Sequence, residues 1–416
     1  MIQLKDFIQT YKSCRKNKRK SPRQVEFELH SERELLKMYK SIEDRYFQPT
    51  AYSFIVKEPK PREIVAAYMP TMILHHYLDE RIRPLMEQRM SSHTYNNRRG
   101  MGQSACQNAV ISDIYEVSKG FTQDAWIVKI DLKGCFPNIN QDIAYRQLER
   151  LVVEDYKGDD KDELLYILRV CIYSYPTLHC TMLSRPEERS LIAPDKSLFN
   201  KPLGVGATLG QLIWQNAVNY YFNDIDFWFE KNGIKAERFV DDIYIIVNNK
   251  TFLNLIPELR RELAKLGATI NENKFYCQHY TKGCECLGIH IKQDRIYINN
   301  RVLRRAKAKI KELNRNPHPR CVNKFLSSIN SYMGLCKNTN GYNRILELNH
   351  LISPRWSKYV SFNQSRLCFV ANPGYSINEQ TAQKYKLIKY KQHDTRRKRT
   401  QTTTPQRTTI QTQKRD

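Results

Sequence analysis

The stretch that decides the fold runs from residue 237 to residue 247 and reads Glu237-Arg238-Phe239-Val240-Asp241-Asp242-Ile243-Tyr244-Ile245-Ile246-Val247. Two adjacent carboxylates lie between apolar residues that are typical of β-strands. Adjacent side chains of a strand point to opposite faces, and an ionised carboxylate out of water must be paired or hold a metal. The pattern therefore predicts two short strands joined by a turn, with Asp241 and Asp242 at its tip. These acids are either solvated or gathered around a divalent cation.

A second stretch supplies a third carboxylate. It reads Ala125-Trp126-Ile127-Val128-Lys129-Ile130-Asp131-Leu132-Lys133-Gly134-Cys135-Phe136-Pro137-Asn138-Ile139. This pattern is typical of a short buried strand that ends at Asp131. A carboxylate at the end of a buried strand is held on a rigid scaffold, which is a common way to build a functional site.

The predicted elements around these acids follow in the order strand, helix, helix, hairpin, helix and strand. This order predicts an α+β fold with a split βαβ sheet of the ferredoxin type, in which Asp131 meets Asp241 and Asp242 across adjacent strands. Three converging carboxylates repel one another unless divalent cations lie between them. Two Mg²⁺ ions about 3.5–4 Å apart, or Mn²⁺ in their place, would stabilise the attacking and leaving oxygens of a phosphoryl transfer.

Four further segments carry local signals. A β-hairpin with a basic tip is predicted around Arg62, and residues 175–200 are predicted to be irregular. A glycine-rich turn at residues 202–211 leads into one long apolar helix that ends at Phe229. A hairpin is predicted to carry a group of soft ligands, which either bind zinc or are small buried side chains, since no Cys-x-x-Cys spacing is present. The members of this group are Cys277, His279, Cys284 and Cys286.

Composition indicates a polyanionic partner. Among 416 residues, 68 Lys and Arg outnumber 43 Asp and Glu, so the formal net charge is +25 and nucleic acid is the first candidate partner. A membrane surface is the alternative, but no apolar run approaches the ~20 residues of a transmembrane helix and the N-terminus does not resemble a signal peptide. Eleven scattered cysteines indicate a reducing compartment, so a cytoplasmic protein without membrane contact is expected.

Several motifs from about residue 50 to residue 350, in order and at suitable spacing, resemble those of reverse transcriptases. The segment Ile130–Phe136 resembles the first catalytic motif, and Phe239-Val240-Asp241-Asp242 resembles the Y-x-D-D box with Phe in the Tyr place. Lys274 falls where the family has a lysine that can protonate the leaving pyrophosphate, and Leu287-Gly288 resembles the primer-grip turn. The resemblance implies an RNA-directed DNA polymerase in which the three aspartates are metal ligands. Its catalytic residues would be Asp131, Asp241, Asp242 and Lys274.

The resemblance also implies the domain order of a right-hand polymerase with fingers, a ferredoxin-like palm and a helical thumb. The expected ranges are a basic N-terminal helical extension at 1–49, fingers at 50–125, a palm at 126–300 with a helical and irregular insertion at 154–200, a thumb at 301–360 and a C-terminal extension at 361–416. The tail from about residue 384 is rich in Lys, Arg, Thr and Gln and is predicted to be disordered.

Contacts to the substrates follow from the same resemblance. Phe136 lies where the family carries its steric gate against a ribose 2′-hydroxyl, although a core phenylalanine is the alternative. Arg62 is expected to clamp the triphosphate, with a solvated turn arginine as the alternative. Arg98 and Arg99 are expected to contact template phosphates, and Leu287 and Gly288 to contact the primer.

The segment Val205–Gln211 resembles the [I/V/L]-G-x-x-x-S-Q pattern of the reverse transcriptases of diversity-generating retroelements, with Gly210 in the Ser place. That pattern implies that Gly206 and Gln211 contact the incoming nucleotide. Such bacterial or phage-encoded enzymes copy a template RNA into cDNA from dNTPs with errors at adenines, and work with a small basic accessory protein. A retron, phage-defence or group II intron-like reverse transcriptase is the alternative. A non-catalytic RNA-binding scaffold is the alternative of another class.

Overall fold

The computed structural model describes residues 2–16, 22–58, 60–175, 177–337 and 339–375. The chain divides into two compact units, Met1–Cys284 and Glu285–Asp416. The division falls inside the range predicted for the palm, and the assignment of ranges to fingers, palm and thumb stays a prediction. The predicted disordered tail from about residue 384 lies outside the described residues.

The first unit contains helices and strands in alternation. Its described helices are α1 (Leu4–Cys14), α2 (Pro22–Leu29), α3 (Ser31–Glu43), α4 (Met69–Arg89), α5 (Gln103–Val117), α6 (Gln141–Asp155), α7 (Lys161–Ile172), α8 (Pro186–Arg189), α9 (Leu212–Tyr221), α10 (Asn223–Lys231) and α11 (Ile256–Lys265). Its described strands are β1 (Ala51–Val56), β2 (Arg62–Ala67), β3 (Trp126–Asp131), β4 (Cys180–Met182), β5 (Lys235–Phe239), β6 (Asp242–Val247) and β7 (Tyr276–His279). Strand β8 (Cys284–Cys286) lies at the division between the units.

The main sheet of the first unit has the strand order β5-β6-β3-β7. Each neighbouring pair is antiparallel, so β3 and β5 run parallel with β6 between them. Ile127, Val128 and Ile130 of β3 are fully buried, as expected for a central strand of β-branched residues covered on both faces. This is the split βαβ arrangement, and the predicted α+β fold of ferredoxin type is confirmed.

A smaller sheet has the order β2-β1-β4. Strands β1 and β2 form the predicted antiparallel hairpin, in which Val56 pairs with Arg62. Strand β4 pairs parallel to β1, so the prediction of an irregular segment at residues 175–200 is wrong at this point. The pairing joins residues that are far apart in sequence, and a three-residue strand has too little periodicity to be seen locally.

Two other local predictions need correction. The apolar helix that was expected to continue to Phe229 is divided at Phe222 into α9 and α10. The hairpin predicted to end at residues 286–291 forms between β8 and the strand Ile289–Ile291, but Cys277 and His279 are not part of it, because β7 pairs with β3 in the main sheet. In both cases, pairing or packing with distant residues decides the structure.

One apolar core holds the first unit together. It packs the buried faces of α4, α6, α7 and α9 against the main sheet, and its largest fully buried side chains include Trp214, Tyr77 and Phe222. Among the described residues, no helix is both long and apolar enough to cross a membrane.

The second unit has its own core. Its described elements are β9 (Ile289–Ile291), β10 (Ile296–Ile298), α12 (Asn300–Arg315), α13 (Val322–Lys337), α14 (Tyr342–His350), β11 (Val360–Asn363) and β12 (Cys368–Ala371). Trp356 is fully buried, and the ring of Phe325 lies 4.4 Å from its ring centre. Phe369 packs edge-on against Phe325, which joins the β11–β12 hairpin to α13.

Candidate active site

The three predicted carboxylates meet at one end of the main sheet, which we call the carboxylate end (Asp131, Asp241 and Asp242). Asp131 is the last residue of β3 and pairs directly with Asp242, the first residue of β6. Asp241 lies in the two-residue turn that follows Phe239 at the end of β5. The Leu132 N–H donates a hydrogen bond of 2.9 Å to the Asp241 carbonyl, which fixes the turn against the strand that carries Asp131.

The turn at the carboxylate end has a strained backbone. Val240 has a φ of 60°, although a β-branched side chain strongly disfavours a positive φ. A two-residue turn between antiparallel strands commonly requires a positive φ at its first residue, where glycine is the usual residue. Strain of this kind persists only where the surrounding structure imposes it, and it is frequent at functional sites.

Burial and repulsion from neighbouring carboxylates disfavour the ionised forms of Asp241 and Asp242. The pKa of Asp241 is raised to about 6, first by burial and then by the charges of Asp242 and Asp131. Burial also raises the pKa of Asp242, against the opposing effect of Lys129. A divalent cation would relieve this repulsion, because it favours the charged form of each carboxylate.

Two lysines and one asparagine hold the acids in the described arrangement. Lys274 forms an ion pair with Asp131 Oδ2, and Asn271 Nδ2 donates to Asp131 Oδ1 at 2.8 Å. Lys129 Nζ lies 3.5 Å from Asp242 Oδ1. Sequence reasoning missed Lys129 and Asn271. A usable signal existed for Lys129, because it lies two residues before Asp131 and therefore on the same face of β3.

The donor set at the carboxylate end fits divalent cations such as Mg²⁺, which prefer carboxylate oxygens. In the described arrangement Asp131 is paired with Lys274 and Asp242 with Lys129. Within the part of the chain that the structure describes, no group of three or more His, Cys, Asp or Glu side chains is already arranged to hold a metal ion. Metal binding at the three aspartates stays a prediction.

A second set of predicted residues surrounds the glycine-rich loop, residues 202–211. The loop is docked on the segment that follows Asp131: Ala207 N–H donates to the Phe136 carbonyl at 2.8 Å, and Gly206 N–H donates to the Ile139 carbonyl at 2.7 Å. Phe136 is half-buried and packs against the main core. The structure thus brings the predicted gate and the predicted loop together, close in the chain to Asp131.

Gln141 is a further residue of this region that sequence reasoning missed. Its side-chain Nε2 donates to the Gly206 carbonyl at 2.9 Å, and its backbone N–H donates to the Gly204 carbonyl at 2.9 Å. Gln211 is only 2% exposed, and its Oε1 has no hydrogen-bond partner among the described residues. A buried amide oxygen without a partner is uncommon in folded proteins.

The loop also lies against the strand that carries Arg62. Val65 N–H donates to the Leu209 carbonyl at 2.8 Å. A Cβ at Gly210 would lie 2.8 Å from Ile64 Cγ2, and Gly210 has a φ of +116°. The departure from Ser at this position therefore has a steric reason. Arg62 itself is exposed at the start of β2.

The predicted template and primer residues have different surroundings. The side chain of Arg98 is only 8% exposed, because its guanidinium pairs with Glu87 at 2.7 Å and donates to the Thr94 carbonyl at 3.0 Å. This placement favours a structural role, whereas Arg99 is exposed and available to solvent. Leu287 and Gly288 form a turn with positive φ at both residues in the second unit.

Comparison with known proteins agrees with the motifs. Residues 60–291, more than half of the 416-residue chain, match the family model described as "Reverse transcriptase (RNA-dependent DNA polymerase)". The chain belongs to the reverse transcriptase family.

Among individual proteins, the chain is 25% identical over 256 residues to the "Putative COX1/OXI3 intron 1 protein" of Saccharomyces cerevisiae. The match covers 51% of this chain and 28% of that protein, so the chain spans just over a quarter of the length of this curated relative.

Two solved telomerase structures are similar at a lower level. One is apo telomerase from Candida tropicalis truncated from its C-terminal domain, with 13% identity, a TM-score of 0.43 and coverage of 60% of this chain and 55% of that chain. The other is telomerase from Candida albicans in complex with a TWJ fragment of telomeric RNA, with 11% identity, a TM-score of 0.44 and coverage of 76% and 57%. Similarity at this level does not extend to function.

Proposed function

We propose that this protein is an RNA-directed DNA polymerase that makes cDNA from an RNA template. The observation that carries the proposal is the convergence of Asp131, Asp241 and Asp242 at one end of a palm-type sheet in a chain of the reverse transcriptase family. In the reaction, the primer 3′-hydroxyl attacks the α-phosphorus of a dNTP and pyrophosphate leaves. Two divalent cations held by these aspartates would stabilise the attacking and the leaving oxygens.

The chain's own residues supply positioning and proton transfer. The Lys274 side chain is 53% exposed, so its amine can turn from Asp131 towards the leaving pyrophosphate and give it a proton. Phe136 would close the space beneath the sugar and exclude a 2′-hydroxyl. Arg62, exposed on the hairpin beside the glycine-rich loop, would bind the triphosphate.

The glycine-rich loop would contact the incoming nucleotide. Gly206 and Gln211 are the residues whose motif is similar to that of the diversity-generating retroelement enzymes, and the buried, unpaired Oε1 of Gln211 supports a polar contact with a substrate. We therefore propose the adenine-mutagenic enzyme of such an element as the particular activity. Its partners would be a template RNA, a cDNA primer and a small basic accessory protein, and the net charge of +25 supports binding of nucleic acid.

An intron-type reverse transcriptase is the second candidate, because the curated relative that matches 51% of this chain is named as an intron protein. The two candidates differ in error spectrum. cDNA made from a mixed-sequence RNA template is expected to carry errors mainly opposite template adenines. Errors spread evenly over the four template bases would favour the intron-type enzyme.

Primer extension tests the general activity. With oligo(dT) on poly(rA), dTTP and Mg²⁺, the purified chain is expected to extend the primer, and Asp241→Ala is expected to abolish extension. Activity that survives in Asp241→Ala contradicts the site assignment. A folded wild-type chain that binds RNA but extends no primer would instead be the non-catalytic scaffold.

A further inference from the structure

Arg238 is a buried charge directly behind the carboxylate end. It is only 1% exposed, although it lies on the edge strand β5 three residues before Asp241. Its guanidinium forms a two-pronged ion pair with Asp226 of α10, with Nε 2.7 Å from Oδ1 and Nη2 2.5 Å from Oδ2. A buried arginine in a bidentate pair with a carboxylate has a fixed orientation.

The guanidinium of Arg238 also connects this ion pair to three other segments. The two hydrogens of Nη2 are shared among Asp226 Oδ2, the Asn219 carbonyl of α9 at 2.9 Å and Thr94 Oγ1 at 3.0 Å. Thr94 Oγ1 in turn donates to Asp226 Oδ2 at 2.6 Å, so the network is closed. Nη1 donates to the Val240 carbonyl at 3.4 Å, which is a direct contact with the strained turn.

Backbone hydrogen bonds also hold Arg238 at the outer edge of the sheet. Arg238 N–H donates to the His93 carbonyl at 2.8 Å, and Tyr95 N–H donates to the Arg238 carbonyl at 3.1 Å. The segment at residues 93–95 therefore covers the outer edge of β5. Together, the backbone and the guanidinium fix the strand that leads into Val240 and Asp241.

We propose that the Arg238–Asp226 ion pair is a positioning device for the carboxylate end, which holds the turn at Val240 so that Asp241 and Asp242 bind divalent cations tightly. The inference rests on the proposed function, because it concerns the same metal-binding carboxylates. Residues that orient metal ligands from behind typically change metal affinity or activity by about 10–100-fold when they are altered. Arg238 touches neither substrate nor metal, so it is a positioning residue.

The pair can be removed without leaving a buried charge. Replacement of a buried ion pair by apolar residues of similar volume is often neutral for stability, whereas removal of one partner is strongly destabilising. The double variant Asp226→Leu/Arg238→Met is therefore the main test, and Arg238→Lys keeps the charge but loses the two-pronged geometry. Asp79→Leu/Arg83→Met is the matched control, because it likewise removes both partners of a 2.6 Å ion pair with a buried carboxylate, here within α4 rather than behind the turn.

The readouts are Mn²⁺ affinity of the full chain without nucleic acid, measured by electron paramagnetic resonance, and kcat and KM for dTTP in primer extension. The double variant, shown to be folded by circular dichroism, is expected to lose about 10–100-fold in Mn²⁺ affinity and in kcat with little change in KM. Arg238→Lys is expected to lose less, and Asp79→Leu/Arg83→Met is expected to match the wild type in both readouts.

A folded double variant or Arg238→Lys variant with wild-type Mn²⁺ affinity and kcat would overturn the proposal. An equal loss in Asp79→Leu/Arg83→Met would also overturn it, since general destabilisation would then explain the effect. If the wild-type chain binds Mn²⁺ through Asp241 but extends no primer, the proposed polymerase function fails, while the Mn²⁺ affinities still decide the positioning role. If Asp241→Ala does not weaken Mn²⁺ binding, the positioning proposal fails.

Discussion

The carboxylate end and the glycine-rich loop lie at the two ends of one short segment, residues 132–141. They differ in the charge of their buried polar groups. The carboxylate end concentrates charge, with the pKa of Asp241 raised to about 6 by burial and neighbouring acids. The glycine-rich loop carries buried uncharged groups: Thr208 Oγ1 and Gln211 Oε1 have no hydrogen-bond partner among the described residues. In the proposed function, the carboxylate end would bind cations and the glycine-rich loop would contact the substrate.

The difference indicates that the two regions would affect different properties of the reaction, namely its rate and its choice of nucleotide. Changes at the carboxylate end should affect every nucleotide addition, because they alter the binding of cations and the transfer of charge. Changes at the glycine-rich loop should affect which nucleotide is accepted, because they alter how the incoming nucleotide fits against the loop. Substitutions in the two regions can therefore be compared in one extension assay.

The largest effect is expected for Asp131→Asn. The substitution keeps the size of the side chain but removes a charge that metal binding requires, so kcat should fall by about 10³-fold with every dNTP. Asp224→Asn is the matched control, because Asp224 is an exposed carboxylate of α10 and its loss should leave kcat unchanged. A loss restricted to one dNTP would erase the distinction between the two regions.

The next effect is expected for Lys274→Met. Loss of a general acid typically costs about 10²–10⁴-fold, and kcat should fall in that range. The Lys274 charge also lowers the pKa of metal-free Asp241, so its removal should raise the pH at which Asp241 ionises without divalent cations. An unchanged kcat in single-turnover extension would contradict the role of Lys274 as a general acid.

For Phe136→Ala, the expected effect is on selectivity rather than on rate with dTTP. The discrimination between dTTP and UTP, measured as a ratio of kcat/KM values, should fall by roughly 10–100-fold because the ring no longer excludes the 2′-hydroxyl. Phe47→Ala is the control, since Phe47 is a half-buried phenylalanine on the same core. Equal discrimination in the wild type and in Phe136→Ala would make Phe136 a core residue only.

A smaller effect is expected for Gly210→Ser, which restores the residue of the family pattern. The added Cβ would meet Ile64 Cγ2 at 2.8 Å, and a φ of +116° is costly for a side chain, so the free energy of unfolding should fall by about 1–3 kcal/mol. Gly204→Ser separates the two causes, because Gly204 has a φ of +82° but a Cβ added there would meet no atom within 4 Å. Equal losses of unfolding free energy in Gly210→Ser and Gly204→Ser, measured by urea denaturation, would mean that the contact with β2 adds nothing to the cost of the substitution.

The pH dependence of stability should also differ between the regions. Because the folded-state pKa of Asp241 is raised from its usual value of 3.8 to about 6, its protonated form stabilises the fold at low pH. That contribution is complete below pH 3.8 and is lost as the pH rises through about 6. Without divalent cations, Asp241→Asn should therefore lessen the fall in unfolding free energy between about pH 4 and pH 7, whereas Gly210→Ser should not. Parallel curves for the wild type and Asp241→Asn would contradict the raised pKa.

The sequence predicts the parts of this molecule that depend on neighbouring residues. Strands β3 and β6 follow from runs of β-branched residues, and the end of β5 follows from the apolar Phe239 that precedes the acids. The positions of Asp131, Asp241 and Asp242 follow from the ends of these runs. The pairing of β7 with β3 and of β4 with β1 could not be predicted, because long-range hydrogen bonds decide it. The buried position of Arg238 was equally hidden, since its partner Asp226 lies on another element.

Sulfur substitution at the α-phosphate of dTTP tests the central claim most directly. Mg²⁺ binds sulfur poorly, whereas the softer Mn²⁺ tolerates it better. If the three aspartates hold cations against the α-phosphate, one diastereomer of the thio-substituted dTTP should be added slowly to oligo(dT) on poly(rA) with Mg²⁺ and recover its rate with Mn²⁺. An equal loss of rate with both ions would contradict a metal contact at the reacting phosphate, and with it the account of the carboxylate end.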